Sequence, residues 1–197
     1  MRKKFFGNII LIVSAIIAMP VVSDAADSRE KPELSVEVNE GKPRFIHKNK
    51  QFSCSHKINH GGGCTRVSFY AELRGTEITP EGALKKLKLQ IGLRDVEIEL
   101  SSDLKKGSCL FDAVLKHELT HLALHRKVLK RFAPEVAKAV LSTAESLPVP
   151  ITQAHFNRIS NVLKKYVDRM MREDDKQNAL MDTGDAYLYQ QKQCLNE

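Results

Sequence analysis

The sequence predicts an α+β fold: a small antiparallel sheet followed by a mostly helical C-terminal half. Three observations lead there. Between Val67 and Leu100, apolar residues recur at every second position, the period of a half-buried strand. After Gly107 the period changes to three and four, which is helical. Within the first helical stretch stands His117-Glu118-Leu119-Thr120-His121, a polar constellation inside an apolar run.

Taken in chain order, residues 1–25 are expected to stay outside the fold. Arg2, Lys3 and Lys4 precede an uncharged run from Ile9 to Met19, and Ser23-Asp24-Ala25 offers a small-x-small cleavage site before Ala26. That is the pattern of a secretory signal peptide, so the chain is expected to be exported, to the periplasm or beyond. The apolar run falls short of the ~20 residues that a spanning helix needs. Nothing downstream is longer, so no stable membrane insertion is expected after cleavage. Residues 26–50 are rich in Glu, Lys, Pro and Asn and read as a linker or N-terminal extension, with one short edge strand from Leu34 to Val38. A regulatory pro-segment is the other reading of this stretch. Residues 51–197 are expected to form a single domain.

Val67, Phe69, Ala71 and Leu73 alternate with polar partners, and Thr79-Pro80-Glu81-Gly82 reads as a turn or a short helical start. Leu87, Leu89, Ile91 and Leu93 alternate next. The parity then flips: Val96, Ile98 and Leu100 are apolar, while Glu97 and Glu99 are polar. A flip across Arg94-Asp95 requires a bulge or a tight hairpin. Three or four strands therefore precede the helices. Ser108 is a fitting N-cap for the first helix. Pro134 is expected to end or kink it and to start a second helix from Glu135 to Leu147. Pro148 and Pro150 bracket a turn, and Thr152 caps a long helix carrying Phe156, Ile159, Leu163, Tyr166, Val167 and Met170. Gly184 breaks it.

Removing 25 residues from 197 leaves 172, enough for one core. The full chain carries +7; losing three basic residues and one acidic residue leaves +5. The charge is dispersed in separate pairs such as Lys85-Lys86 and Lys164-Lys165, which read as solvated faces. No basic stripe is interleaved with aromatics, so no nucleic-acid partner is expected. Composition says nothing about oligomeric state.

Four cysteines, Cys54, Cys64, Cys109 and Cys194, lie past the cleavage site. An even count in an exported chain points to two disulfides. Three pairings exist; the favoured one joins Cys54 to Cys64 around a Gly-rich loop and Cys109 to Cys194 across a long one. The competing reading of Cys54, His56, His60 and Cys64 is a structural zinc site. Its spacings are unusual and export disfavours free thiolates.

The H-E-x-x-H run carries the most specific chemistry. His117 and His121 lie four apart, on one helix face, where two imidazoles can close on a tetrahedral Zn²⁺. Glu118 stands ~100° further round the helix, placed to take a proton from a water. The alternative is a buried helix whose polar groups pair with neighbours, a costly arrangement without partners. A catalytic zinc site needs a third protein ligand. His125 lies ~12 Å from His117 along the axis, too far for the same ion on a straight helix. It reads as a supporting or cleft residue, or as a partly buried polar group. Glu145, His155, Asp182 and Asp185 remain as candidates.

An export signal, cysteine-bearing strands, a helix with H-E-x-x-H and a late aspartate together resemble a group of bacterial proteins known as predicted secreted zinc-dependent proteases, of the zincin type. The matching late stretch is Met181-Asp182-Thr183-Gly184-Asp185-Ala186-Tyr187. It departs from the group in having Met181 where an aromatic stands and in lacking a terminal His-Gly. The resemblance implies a zincin-like fold with a central H-E-x-x-H helix and a Zn²⁺ cofactor. It further implies Asp182 as third ligand beside His117 and His121; Glu145 and Asp185 come next among the candidates above. The expected activity is zinc-dependent endopeptidase hydrolysis of a protein or peptide substrate, with Glu118 as general base and Tyr187, Tyr189 or His155 as oxyanion donor. The alternatives are a non-catalytic metal-binding envelope protein that retains a zincin-like helix, and an enzyme acting on cell-wall peptides.

Overall fold

The computed structural model describes residues 30–49 and 62–183, together with Lys192 and Cys194. Among the described residues, four strands precede two helices: β1 (Glu33–Asn39), β2 (Arg44–Lys48), β3 (Gly63–Ile78), β4 (Leu84–Ser101), α1 (Cys109–Glu145) and α2 (Gln153–Met181). The α+β composition is as expected. The stretch at 1–25 and the loop carrying Cys54, His56 and His60 lie outside the described residues.

The sheet departs from the antiparallel expectation. β3 and β4 form a long antiparallel hairpin, closed by a turn in which Gly82 donates to the Thr79 carbonyl at 2.9 Å. Both β1 and β2, however, pair with β4 in parallel. The segment expected as a linker therefore supplies two strands, and the one expected at Leu34–Val38 is β1. Glu33 faces Lys86 and Arg44 faces Glu97, each 53 residues on, so β1 and β2 hold one register along the same partner. The chain lays its first segment against the edge of β4 that β3 leaves open. Local alternation carries no information about such a pairing.

The parity flip is a bulge within one strand. Arg66 pairs with Glu97 and Ser68 with Arg94, so β4 spends one residue more than β3 at this point. Asp95 takes a left-handed φ of 53°, which a short polar side chain tolerates. The extra residue returns Val96, Ile98 and Leu100 to the apolar cluster that already holds Leu87, Leu89, Ile91 and Leu93. On the polar face, Glu97 is flanked in register by Arg44 and Arg66, and both guanidiniums pair with it. Glu99 pairs with Lys48 at 2.6 Å.

The expected break at Pro134 does not occur. α1 runs without interruption from Cys109 to Glu145, past the point where a second helix was expected to begin. Pro134 sits on the exposed side of α1, where the carbonyl it leaves unbonded can meet water. Phe132, Ala133, Val136 and Val140 on the other side are buried in the core and hold the helix together. Ser108 caps α1 by accepting from Phe111 N–H at 3.2 Å, as its sequence position suggests. α2 begins at Thr152, whose N–H donates to His155 Nδ1 at 3.0 Å.

α1 and α2 pack against each other, and both reach the sheet. From His117 to the end of α1 is about 42 Å, and from the start of α2 to Asp182 is about 43 Å, at 1.5 Å per residue. Two helices of matched length joined by a short turn bring Asp182 back to the level of His117. The Cys109–Cys194 disulfide joins the first turn of α1 to the chain's last segment. Cys64 is also disulfide-bonded; its expected partner, Cys54, is outside the described residues. No helix among the described residues is long and apolar enough to cross a membrane.

Candidate metal centre

The histidines of α1 recur every four residues at His117, His121 and His125, so they share one face. On α2 the residues opposite also recur every four: Asp182, Asn178 and Asp174. Because the helices are antiparallel, four residues up one are met by four residues back along the other. His117 Nε2 lies 3.3 Å from Asp182 Oδ1, His121 Nδ1 lies 2.6 Å from Asn178 Oδ1, and His125 Nδ1 lies 2.7 Å from Asp174 Oδ1. All but Asp182 are buried, and Asp182 is half-buried at the C-cap of α2.

At the open end of this ladder three ligand atoms converge. His121 Nε2 is 3.0 Å from His117 Nε2 and 2.9 Å from Asp182 Oδ1. Ligands ~2.05 Å from a tetrahedral zinc stand roughly 3.3 Å apart, so the observed separations fit one ion with little rearrangement. Two imidazoles and a carboxylate suit zinc as a donor set. The negative end of the α2 dipole also favours a cation at this position. Among the described residues, His117, His121 and Asp182 are the one such group that could hold a metal ion.

The protonation pattern is consistent with that use. Burial pulls the His121 imidazole down, but its bonds to Asp182 and Asn178 outweigh this and set it above the usual value. Burial pushes the Asp182 carboxyl up, yet the His117 and His121 rings beside it hold it well below the carboxylate range.

Glu118 points from the same helix towards the sheet. Its Oε2 lies 2.8 Å from Thr65 Oγ1, and its backbone carbonyl lies 2.9 Å from the same hydroxyl. Burial raises the Glu118 carboxyl above its usual range, against the lowering pull of Thr65 and the two histidines. Position 63 must be glycine for this packing, since a Cβ there would stand 2.8 Å from Glu118 Cγ. The start of β3 thus forms the floor under the carboxylate.

The remaining candidates fall elsewhere. Glu145 closes α1, ~36 Å along the axis from His121, and pairs with Lys31. His155 sits at the first turn of α2, ~40 Å along the axis from Asp182, which removes it both as a ligand and as an oxyanion donor. Both were plausible only while helix lengths were unknown. Asp185, Tyr187 and Tyr189 lie outside the described residues. His125 is a buried supporting group, edge-on to Phe69 at 6.3 Å between ring centroids. Thr65, Asp174 and Asn178 were not foreseen. The last two carried a signal: the α2 stripe of Ile159, Leu163 and Met170 continues into them, placing polar residues where the period calls for apolar ones.

No protein-family model, curated protein or solved structure matches this chain.

Proposed function

We propose that this chain is an exported zinc-dependent endopeptidase of zincin-like design, with His117, His121 and Asp182 as ligands and Glu118 as general base. One observation carries the proposal: three ligand atoms 2.9–3.3 Å apart stand beside a buried carboxylate with a raised pKa. Zn²⁺, when bound, would polarise a scissile carbonyl and acidify a water. The Thr65 hydroxyl engages Glu118 Oε2 and holds the carboxylate in place. Glu118 takes the water's proton and delivers it to the departing amine, and a carboxyl that burial raises above its usual range suits a group that must do both. The basic, cysteine-paired chain and its N-terminal signal pattern support action outside the cytoplasm on a protein or peptide substrate.

The test uses the full mature chain. Its zinc content is measured, and casein hydrolysis is followed with chelator, without it, and after zinc is restored. The expected result is one zinc per chain and activity that chelator abolishes. Glu118→Gln should keep zinc and thermal stability while its rate falls by about 10²–10⁴-fold. Firmly held zinc with no hydrolysis of any peptide substrate would instead mark a non-catalytic metal-binding protein.

A further inference from the structure

A histidine can ligate a metal through Nε2 only if that nitrogen carries a lone pair, and the proton must then sit on Nδ1. Neutral imidazole in water places the proton on either nitrogen. His121 is denied that freedom. Its Nδ1 stands 2.6 Å from Asn178 Oδ1, with both residues buried. Which end of the Asn178 amide faces His121 follows from the contacts of its nitrogen, which also lies 3.5 Å from His125 Nδ1. Asn178 Nδ2 lies 2.9 Å from the backbone carbonyl of Asp174, an atom that can only accept. The NH₂ group must therefore face Asp174, and the oxygen must face His121. An oxygen at that distance requires a hydrogen on Nδ1. Asp174 is in turn anchored across the interface by His125 at 2.7 Å.

We infer that Asn178 is a positioning residue that sets the tautomer of His121, held in its orientation by the Asp174 carbonyl and, behind it, by His125. The effect is to present Nε2 as a ready lone pair to the point where His117 and Asp182 converge. Partners of this kind fix ring orientation and tautomer at metal sites, and their loss typically weakens metal binding 10–100-fold. This purpose rests on the zinc reading above, whereas the tautomer is a property of the metal-free chain and can be measured there.

The experiment is a long-range ¹H–¹⁵N correlation on the metal-free mature chain at mildly alkaline pH, joined to zinc competition against a chromophoric chelator. In the wild type His121 should show the proton on Nδ1. In Asn178→Leu that preference should vanish and zinc affinity should fall 10–100-fold, with cooperative unfolding retained. Asn178→Asp keeps an acceptor towards His121 Nδ1, so it should retain the Nδ1 proton and bind zinc within about tenfold of the wild type, and a proton on Nε2 in this variant would overturn the inference. The inference is overturned if wild-type His121 carries its proton on Nε2, or if Asn178→Leu binds zinc as tightly as the wild type. Should the leucine variant not fold, the wild-type tautomer and the aspartate variant still decide. A wild type with the stated tautomer and no zinc affinity would sink the zinc reading while leaving the tautomer assignment standing.

Discussion

The two ends of the α1/α2 pair follow the same spacing with opposite chemistry. Towards the site, His117, His121 and His125 meet Asp182, Asn178 and Asp174. Four residues further in each direction, the ladder reaches Leu129 and Met170; beyond lie Val136 and Leu163, then Val140 and Ile159, all in the apolar core. Burying one such side chain contributes about 1.5–3 kcal/mol. Buried polar pairs give no comparable return, since apolar replacements of similar volume are often neutral or stabilising by about 1–4 kcal/mol. The far end therefore stabilises the helix pair, and the near end gives up part of that stability to keep a buried polar cluster that could hold a metal ion. Stability and activity should accordingly separate along the length of two helices.

That separation can be broken from either end. Asp182→Ala removes the carboxylate of the proposed zinc site and should lower zinc affinity by roughly a thousandfold or more, about 4 kcal/mol, measured by chelator competition. The metal-free protein should still unfold cooperatively. Ile159→Ala, at the apolar end, should cost about 2–5 kcal/mol in denaturant unfolding and leave zinc affinity of the folded protein within about twofold. A large loss of affinity there would mean that the two ends are coupled. A smaller effect sharpens the contrast, because the sheet carries a polar cluster that does serve stability. The Arg66 and Arg44 guanidiniums beside Glu97 hold its carboxyl below the usual range. A carboxyl lowered on folding contributes stability that is complete above its unfolded pKa of about 4.3 and is lost as pH falls through the lower folded value. Glu97→Gln should therefore unfold more readily than wild type at neutral pH, and the gap should close in acid, as followed by circular dichroism.

Much of this was legible in the sequence, for local reasons. The parity change at Arg94-Asp95 announced a bulge or a tight hairpin, because a side-chain period of two cannot reverse without an interruption, and the structure holds the bulge. The spacing of His117 and His121 announced their shared face, and Ser108 the start of α1. What was hidden depended on distance or on length. The parallel pairing of β1 and β2 with β4 links segments 53 residues apart through ordinary polar strands, which carry no local mark of their partner. Pro134 looked like an end because its effect on a helix depends on which side faces solvent. Reading one helix as two left the return path of α2 unmeasured, and so left Glu145 and His155 in contention with Asp182.

The matched helices also make a ruler. One residue inserted anywhere between His121 and Glu145, or between Gln153 and Asp182, would slide the far ligand by ~1.5 Å and swing it by ~100° about its axis. The convergence of His117, His121 and Asp182 would then be lost even with all three side chains present. The turn at 146–152 is itself pinned by buried Leu147 and by the Ile151 N–H bond to the Gly82 carbonyl, so an engineered insertion series through α1 and α2 should show an abrupt loss of metal retention at every helical position.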